Sequence, residues 1–235
     1  MIVHLVHAHS EPDSFCAAMR DAVAGELTAG GAEVTISDLY AMDFDPVSSA
    51  ADFRERRRSD HLIYALEQRH GFETSTLSPD IQAEVGKILR ADLLAFTFPV
   101  HWYSVPAILK GWIDRVFLSG PFYGGKRIYG AGGLAGKRAF VAMSMGARPH
   151  MFGPGSLHGD LEFGMMRHFF QGTLGYVGLS VHQPFVAWHV PYVDADQRAA
   201  MLDDLRQAVR DLDARPLLPM PDLTRYDETF APLEG

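Results

Sequence analysis

The opening of the chain restricts the possible folds more than any other part of it. Ile2-Val3-His4-Leu5-Val6-His7-Ala8 is short, rich in β-branched residues and largely apolar on both faces. That pattern suits a central parallel strand covered by helices on two sides, not a strand with one wet face. Parallel neighbours need a crossover instead of a tight turn, and the chain supplies one. Ser14 offers an N-cap oxygen, Phe15, Met19, Ala22, Val23 and Leu27 recur at helical spacing, and Gly30-Gly31 stops the run. Glu33-Val34-Thr35-Ile36-Ser37 reads as the second strand and completes a right-handed βαβ unit.

The stretch from Tyr40 to Thr76 is charged, weakly periodic and too long for an ordinary connection, so it reads as an excursion with short helices of its own. Ser78-Pro79 then marks a helix start, with Ile81, Val85, Ile88 and Leu89 on one face. Leu93 to Phe98 is a buried strand ending at Pro99, and Ser104 is placed to cap a helix with Ile108, Leu109, Trp112, Val116 and Phe117 on its inner stripe. Further on, Arg138–Ser144 reads as strand four, Asp160–Thr173 as a helix and Ser180–Ala187 as strand five. A last helix starts at Asp194 with Gln197 in capping-box spacing. The expected architecture is one α/β domain over residues 1–235: a doubly wound five-stranded parallel sheet with helices on both faces, an excursion at 40–76 and an extended tail at 215–235.

Composition narrows the partners. With 21 basic and 29 acidic side chains the net charge is −8, which argues against nucleic-acid binding, where basic groups must displace condensed counterions. The basic run Arg54-Glu55-Arg56-Arg57-Arg58 is interrupted by an acid and reads as a solvated face. One cysteine excludes an intrachain disulfide, and the absence of asparagine removes any N-glycosylation acceptor; both fit a reducing cytoplasm. The apolar run Leu93–Val100 is too short to span a bilayer, and no basic segment precedes Ile2, so neither membrane insertion nor export is expected.

In a doubly wound sheet, ligands sit beyond the carboxyl ends of the strands near the switch in strand order. Three loops belong there. His9–Ser14 leads into a helix start, where the N–H groups of Phe15 and Cys16 favour a phosphate, with His9 and Ser14 as further donors. Ser14 as a mere cap and His9 as a solvated residue explain the same positions equally well. Pro99-Val100-His101-Trp102-Tyr103-Ser104 places aromatic rings at a strand end, suited to a flat conjugated ligand. Ser144-Met145-Gly146-Ala147, continuing to His158, sets small residues and an imidazole after a strand. Gly130-Ala131-Gly132-Gly133-Leu134-Ala135 spells a dinucleotide fingerprint but precedes a strand, so it is discarded. His7 reads as a structural histidine, no metal site is expected, and Cys16 lacks the base a nucleophile needs.

Three motifs in order, Ala8-His9-Ser10-Glu11-Pro12-Asp13-Ser14-Phe15, Ser37-Asp38-Leu39-Tyr40-Ala41-Met42 and Val105-Pro106-Ala107-Ile108-Leu109-Lys110-Gly111-Trp112, resemble the NAD(P)H:quinone oxidoreductase flavoproteins of the DT-diaphorase group. The resemblance runs to about Leu212. It implies a flavodoxin-like fold, FAD in preference to FMN, NADH or NADPH as reductant, a quinone-like acceptor and a homodimer. By position it places His9, Ser14, Phe15 and Cys16 on the pyrophosphate; Pro99, Val100, His101, Trp102 and Tyr103 along the isoalloxazine; Ser144, Met145, Gly146 and Ala147 under the pyrimidine edge; and Arg198 near the adenosine. Tyr123, and Tyr176 from the partner subunit, would flank the substrate. The family's catalytic histidine falls on His158, its catalytic tyrosine on Phe152, and a second pocket tyrosine on Gly125. The missing phenol makes the Tyr103 hydroxyl a candidate replacement. Two alternatives stay open: an FMN electron carrier of the flavodoxin type, and an accessory flavoprotein of a transport system.

Overall fold

Val3, Leu5 and Val6 are wholly buried, and the strand that carries them is the middle of the sheet. The computed structural model describes residues 1–233. Its elements are β1 (Ile2–His7), α1 (Phe15–Ala29), β2 (Glu33–Asp38), α2 (Tyr64–Glu73), α3 (Pro79–Arg90), β3 (Leu93–Pro99), α4 (Ala107–Val116), β4 (Arg138–Met145), α5 (Arg167–Phe169), β5 (Ser180–Val181), β6 (Phe185–Trp188) and α6 (Ala195–Arg210). The order β2-β1-β3-β4-β5, with β6 also on β4, is parallel throughout. The chain moves outward from β1 to β2 and then returns to β3, so the switch lies at the carboxyl ends of β1 and β3.

Strand alternation sorts the core into two halves. Val3, Leu5, Leu93, Ala95 and Phe140 pack against Met19 and Val23 of α1 and Leu205 and Val209 of α6. Val6, Phe96 and Val141 face Ile81 and Val85 of α3, Leu109 and Trp112 of α4, and Phe169. Both faces are thus covered, as the apolar strands require.

Five local expectations need correction. Strand five is two pieces, because Pro184 has no N–H for the ladder; both pieces pair with β4. The gap is filled from the C-terminal segment: Gln183 N–H donates to Pro216 O and Leu218 N–H to Val181 O, each at 2.8 Å. The expected extended tail turns through a short helical segment at Leu223–Arg225 and folds back to pair Tyr226 with Pro232, and its final residues, 234 and 235, lie outside the described residues. The expected helix over 160–173 is α5 between two π-helical segments, Leu161–Met165 and Phe170–Gly175. Gly164, Gly172 and Gly175 weaken a regular helix there, and Gly175 lies so close to Met220 that a Cβ would clash with its sulfur. Ser104 does not cap α4, which begins at Ala107 with Pro106 in the cap position. Ser78 precedes α3 without a capping hydrogen bond, its hydroxyl turning to Asp80.

The excursion is tied down by buried polar groups. Arg115 of α4 reaches Asp52 Oδ1 with Nη2 at 2.7 Å and Nε at 3.2 Å, Asp45 O at 2.7 Å and Asp80 Oδ2 at 2.8 Å. Glu67 of α2 accepts the backbone N–H groups of Arg57 (2.7 Å) and Arg58 (3.1 Å). The basic run is therefore not simply a solvated face: its backbone is clamped, and Arg56 has Nε and Nη2 buried without a partner among the described residues.

His7 is buried with Nδ1 2.8 Å from Thr97 Oγ1. Burial depresses its pKa to about 4, so the folded state keeps it neutral while the unfolded chain takes up a proton near 6.5. Between those values the unfolded state binds more protons, and stability falls as the pH drops from 6.5 toward 4. Denaturation midpoints across this window should show that loss, and His7→Gln should flatten it; an equal slope in both proteins would refute the assignment.

Candidate functional site

The β1 loop delivers donors to one point. Ser14 caps α1 by accepting the Ala17 N–H at 3.1 Å, and its backbone carbonyl takes the Ala18 N–H. The N–H groups of Phe15 and Cys16 occupy the first helical positions, where no intrahelical acceptor exists. His9 Nδ1 accepts the Glu11 N–H at 2.9 Å, which leaves Nε2 of the neutral ring as the protonated nitrogen and an outward donor. Cap and ligand roles are compatible here, because the cap uses one lone pair of Ser14 and leaves its O–H free.

Cys16 turns inward, with Sγ 3.0 Å from Ser144 Oγ. Burial pushes its thiol up to about 11, so little thiolate forms at neutral pH. Its side chain ties the β1 loop to the β4 loop, leaving only its backbone N–H for a ligand.

The β3 loop is a tight hairpin. His101 and Ser104 exchange backbone hydrogen bonds of 3.0 and 2.9 Å, and the two residues between them are left-handed, Trp102 at φ 53° and Tyr103 at φ 54°. Bulky residues there are strained by about 1–2 kcal/mol each, and such strain concentrates at functional positions. Trp102 is 97% exposed, so packing does not account for it. Ser104 Oγ lies 2.9 Å from His168 Nε2, which pins the hairpin to α5. Val100 N–H donates to Ser144 O at 2.9 Å, bringing the β3 and β4 loops together.

Beyond β4 the loop closes on itself, with His158 N–H donating to Met151 O at 2.9 Å. His158 Nε2 is then 3.1 Å from the Tyr103 hydroxyl. The His158 ring lies 5.2 Å from both Tyr103 and Phe152, and Phe152 packs 5.3 Å from Trp188. Tyr103, Phe152 and His158, expected at the chemical step, therefore form one cluster. Ser144 and Met145 are buried, whereas Gly146 is exposed and a Cβ there would meet only Tyr192, at 4.0 Å.

Other expected residues lie apart from this cluster. Tyr123 and Tyr176 pair with each other in the same chain, ring centres 5.8 Å apart, along a cleft of about 200 Å³. Arg198 donates to the carbonyls of Val190 (3.5 Å) and Val193 (2.5 Å) and so holds the loop after β6. Gly125 is left-handed at φ 58° with open space around it. Among the described residues no group of three or more His, Cys, Asp or Glu gathers as a metal site, and no helix is long and apolar enough to cross a membrane. A roomier cleft of about 390 Å³, lined by Met1, Gly30 and Leu212, lies at the opposite, amino edge of the sheet and carries none of this chemistry.

Sequence reasoning missed His189. It sits just after β6 with φ 58°, donating Nδ1–H to Gly146 O at 2.8 Å and its backbone N–H to Ala147 O at 3.0 Å. A histidine at the carboxyl end of a strand was the available signal.

A parallel sheet in 2-1-3-4-5 order, with donors, a strained aromatic hairpin and a small-residue loop at the switch, defines the flavodoxin-like class. The family model described as flavodoxin-like fold matches residues 1–211. Over 215 residues the chain is 35% identical to NAD(P)H dehydrogenase (quinone) 1 of Cavia porcellus, covering 91% of this chain and 78% of that protein. It is 33% identical over 213 residues to ribosyldihydronicotinamide dehydrogenase (quinone) of Mus musculus, covering 89% and 91%. A Klebsiella pneumoniae crystal structure with a provisional quinone-reductase assignment superposes with a TM-score of 0.88 at 32% identity, covering 93% of this chain and 87% of that one. The chain belongs to the NAD(P)H:quinone oxidoreductase family of flavodoxin-like proteins.

Proposed function

We propose that this protein is a flavin-dependent NAD(P)H oxidoreductase that passes hydride to a quinone-like acceptor, working as a cytoplasmic homodimer with FAD as its cofactor. The residues fit such a group: unpaired helix-start N–H groups for a diphosphate, a bare indole for a flat ring, and a loop at Gly146 without a side chain to block approach. His9, Ser14, Phe15 and Cys16 would hold the diphosphate, the 99–103 segment the ring, Ser144–Ala147 its polar edge, and Arg198 the loop near the adenosine. When bound, the flavin would supply hydride transfer from a reduced nicotinamide to a quinone-like acceptor, with donor and acceptor using one slot in turn, a ping-pong sequence. Tyr123 and Tyr176 would wall that slot from the partner subunit.

The observation that carries this reading is the Tyr103–His158 contact of 3.1 Å beside the strained hairpin. His158 would donate to the negative charge that develops on reduction, where a preorganised donor has its greatest effect. Tyr103 supplies His158 with the phenol that Phe152 lacks, which favours turnover over an accessory role.

The test is direct. The purified chain, stripped of any chromophore, should take up FAD in calorimetry more tightly than FMN, and the loaded protein, kept anaerobic, should oxidise one equivalent of NADH or NADPH alone and turn over continuously only while a quinone is supplied. No uptake of either flavin would end the proposal.

A further inference from the structure

The loop after β4 is held by a residue that is itself held in an unfavourable conformation. Gly146 and Ala147 present consecutive carbonyls, and both are taken by His189, the first by its ring and the second by its backbone. A carbonyl only accepts, so Nδ1 must carry the hydrogen and the tautomer is fixed. His189 is left-handed at φ 58° and ψ 24°, a region costing a residue with a Cβ about 1–2 kcal/mol. Its ring also lies 4.7 Å from that of Tyr192. The strain brings ring and backbone N–H onto the same short segment.

The peptide plane carries the consequence. In a trans peptide the C=O of Gly146 and the N–H of Ala147 point in opposite directions, so gripping one aims the other. The Ala147 N–H, facing away from His189, has no acceptor among the described residues. We propose that His189 is a positioning residue for the flavin loop: by clamping the Gly146 and Ala147 carbonyls it fixes the direction in which the Ala147 N–H meets charge on the reduced cofactor. This rests on the flavin site proposed above, with Ser144–Ala147 at the pyrimidine edge.

Two substitutions separate the clamp from the fold. His189→Gly keeps the left-handed backbone without strain and keeps the backbone N–H, removing only the ring. His189→Asn also tolerates the left-handed region and places an amide N–H at the position of Nδ1. The midpoint potential of bound flavin is the readout, with thermal melts confirming that both variants fold. His189→Gly should weaken binding of reduced relative to oxidised flavin about tenfold, a negative shift of about 30 mV for a two-electron couple, and His189→Asn should recover most of it. Equal potentials in the native and glycine proteins, or an asparagine variant no better than glycine, would overturn the assignment while leaving the flavin site intact. A native chain that takes up no flavin would instead remove the functional reading, and this role with it.

Discussion

His158→Gln is expected to slow reduction of the loaded protein by NADH or NADPH about 10²- to 10³-fold, the usual loss when one preorganised donor to a developing charge is removed. Stopped-flow bleaching of the flavin absorbance measures that step apart from quinone reduction. Tyr103→Phe should slow it in the same direction, because His158 Nε2 loses its 3.1 Å partner. Phe152→Tyr should change little, since the phenol already comes from the hairpin. An unchanged rate in His158→Gln would remove the imidazole from the mechanism. A large gain in Phe152→Tyr would show that Tyr103 does not substitute for the family tyrosine.

Arg115→Ala should cost about 3–5 kcal/mol of folding stability, the range for breaking a buried ion pair from one side. Asp52 is only 2% exposed, and without the guanidinium its carboxylate keeps, among the described residues, the Tyr64 hydroxyl and the Ser49 N–H as donors. Asp45 O loses its donor as well, and the cation 5.0 Å from the Phe44 ring disappears. A urea titration followed by far-ultraviolet circular dichroism would show the midpoint fall. Replacing Arg115 and Asp52 together by apolar residues should cost much less than replacing Arg115 alone, since no charge is then stranded. A double variant as unstable as the single one would mean that packing, not charge, dominates there.

The fold was largely legible because its periodicities are strong and uninterrupted. β1 and β3 are apolar on both faces, α1 ends at Gly30, and Asp194 with Gln197 forms the capping box that the spacing implied. Legibility failed where tertiary contacts decide local structure. Nothing in Asp160–Thr173 announces a π-helical turn, and the close approach of Gly175 to Met220, far along the chain, is a tertiary contact that the local pattern does not show. Pro184 was a readable warning that strand five would break, yet the partner filling the gap is some 30 residues on.

The site divided in the same way. The loops that carry His9, Tyr103 and His158 could be placed from the order of strands along the chain, whereas Phe152 was singled out only by the family resemblance. The pairing of Tyr103 with His158 depends on two left-handed residues in a row, which composition does not reveal. His189 acts through carbonyls, and a backbone acceptor leaves no mark in a side-chain pattern.

The sheet order has a consequence for biosynthesis. As the polypeptide leaves the ribosome, β1 emerges first and ends in the middle; β2 joins one flank, β3 the other, β4 lies outside β3, and β5 and β6 outside β4. Every new strand arrives at an open flank, and none has to be threaded between two that are already joined. The growing layer can therefore be assembled in the order of translation, and residues 216–218 close its last flank only after every strand has emerged.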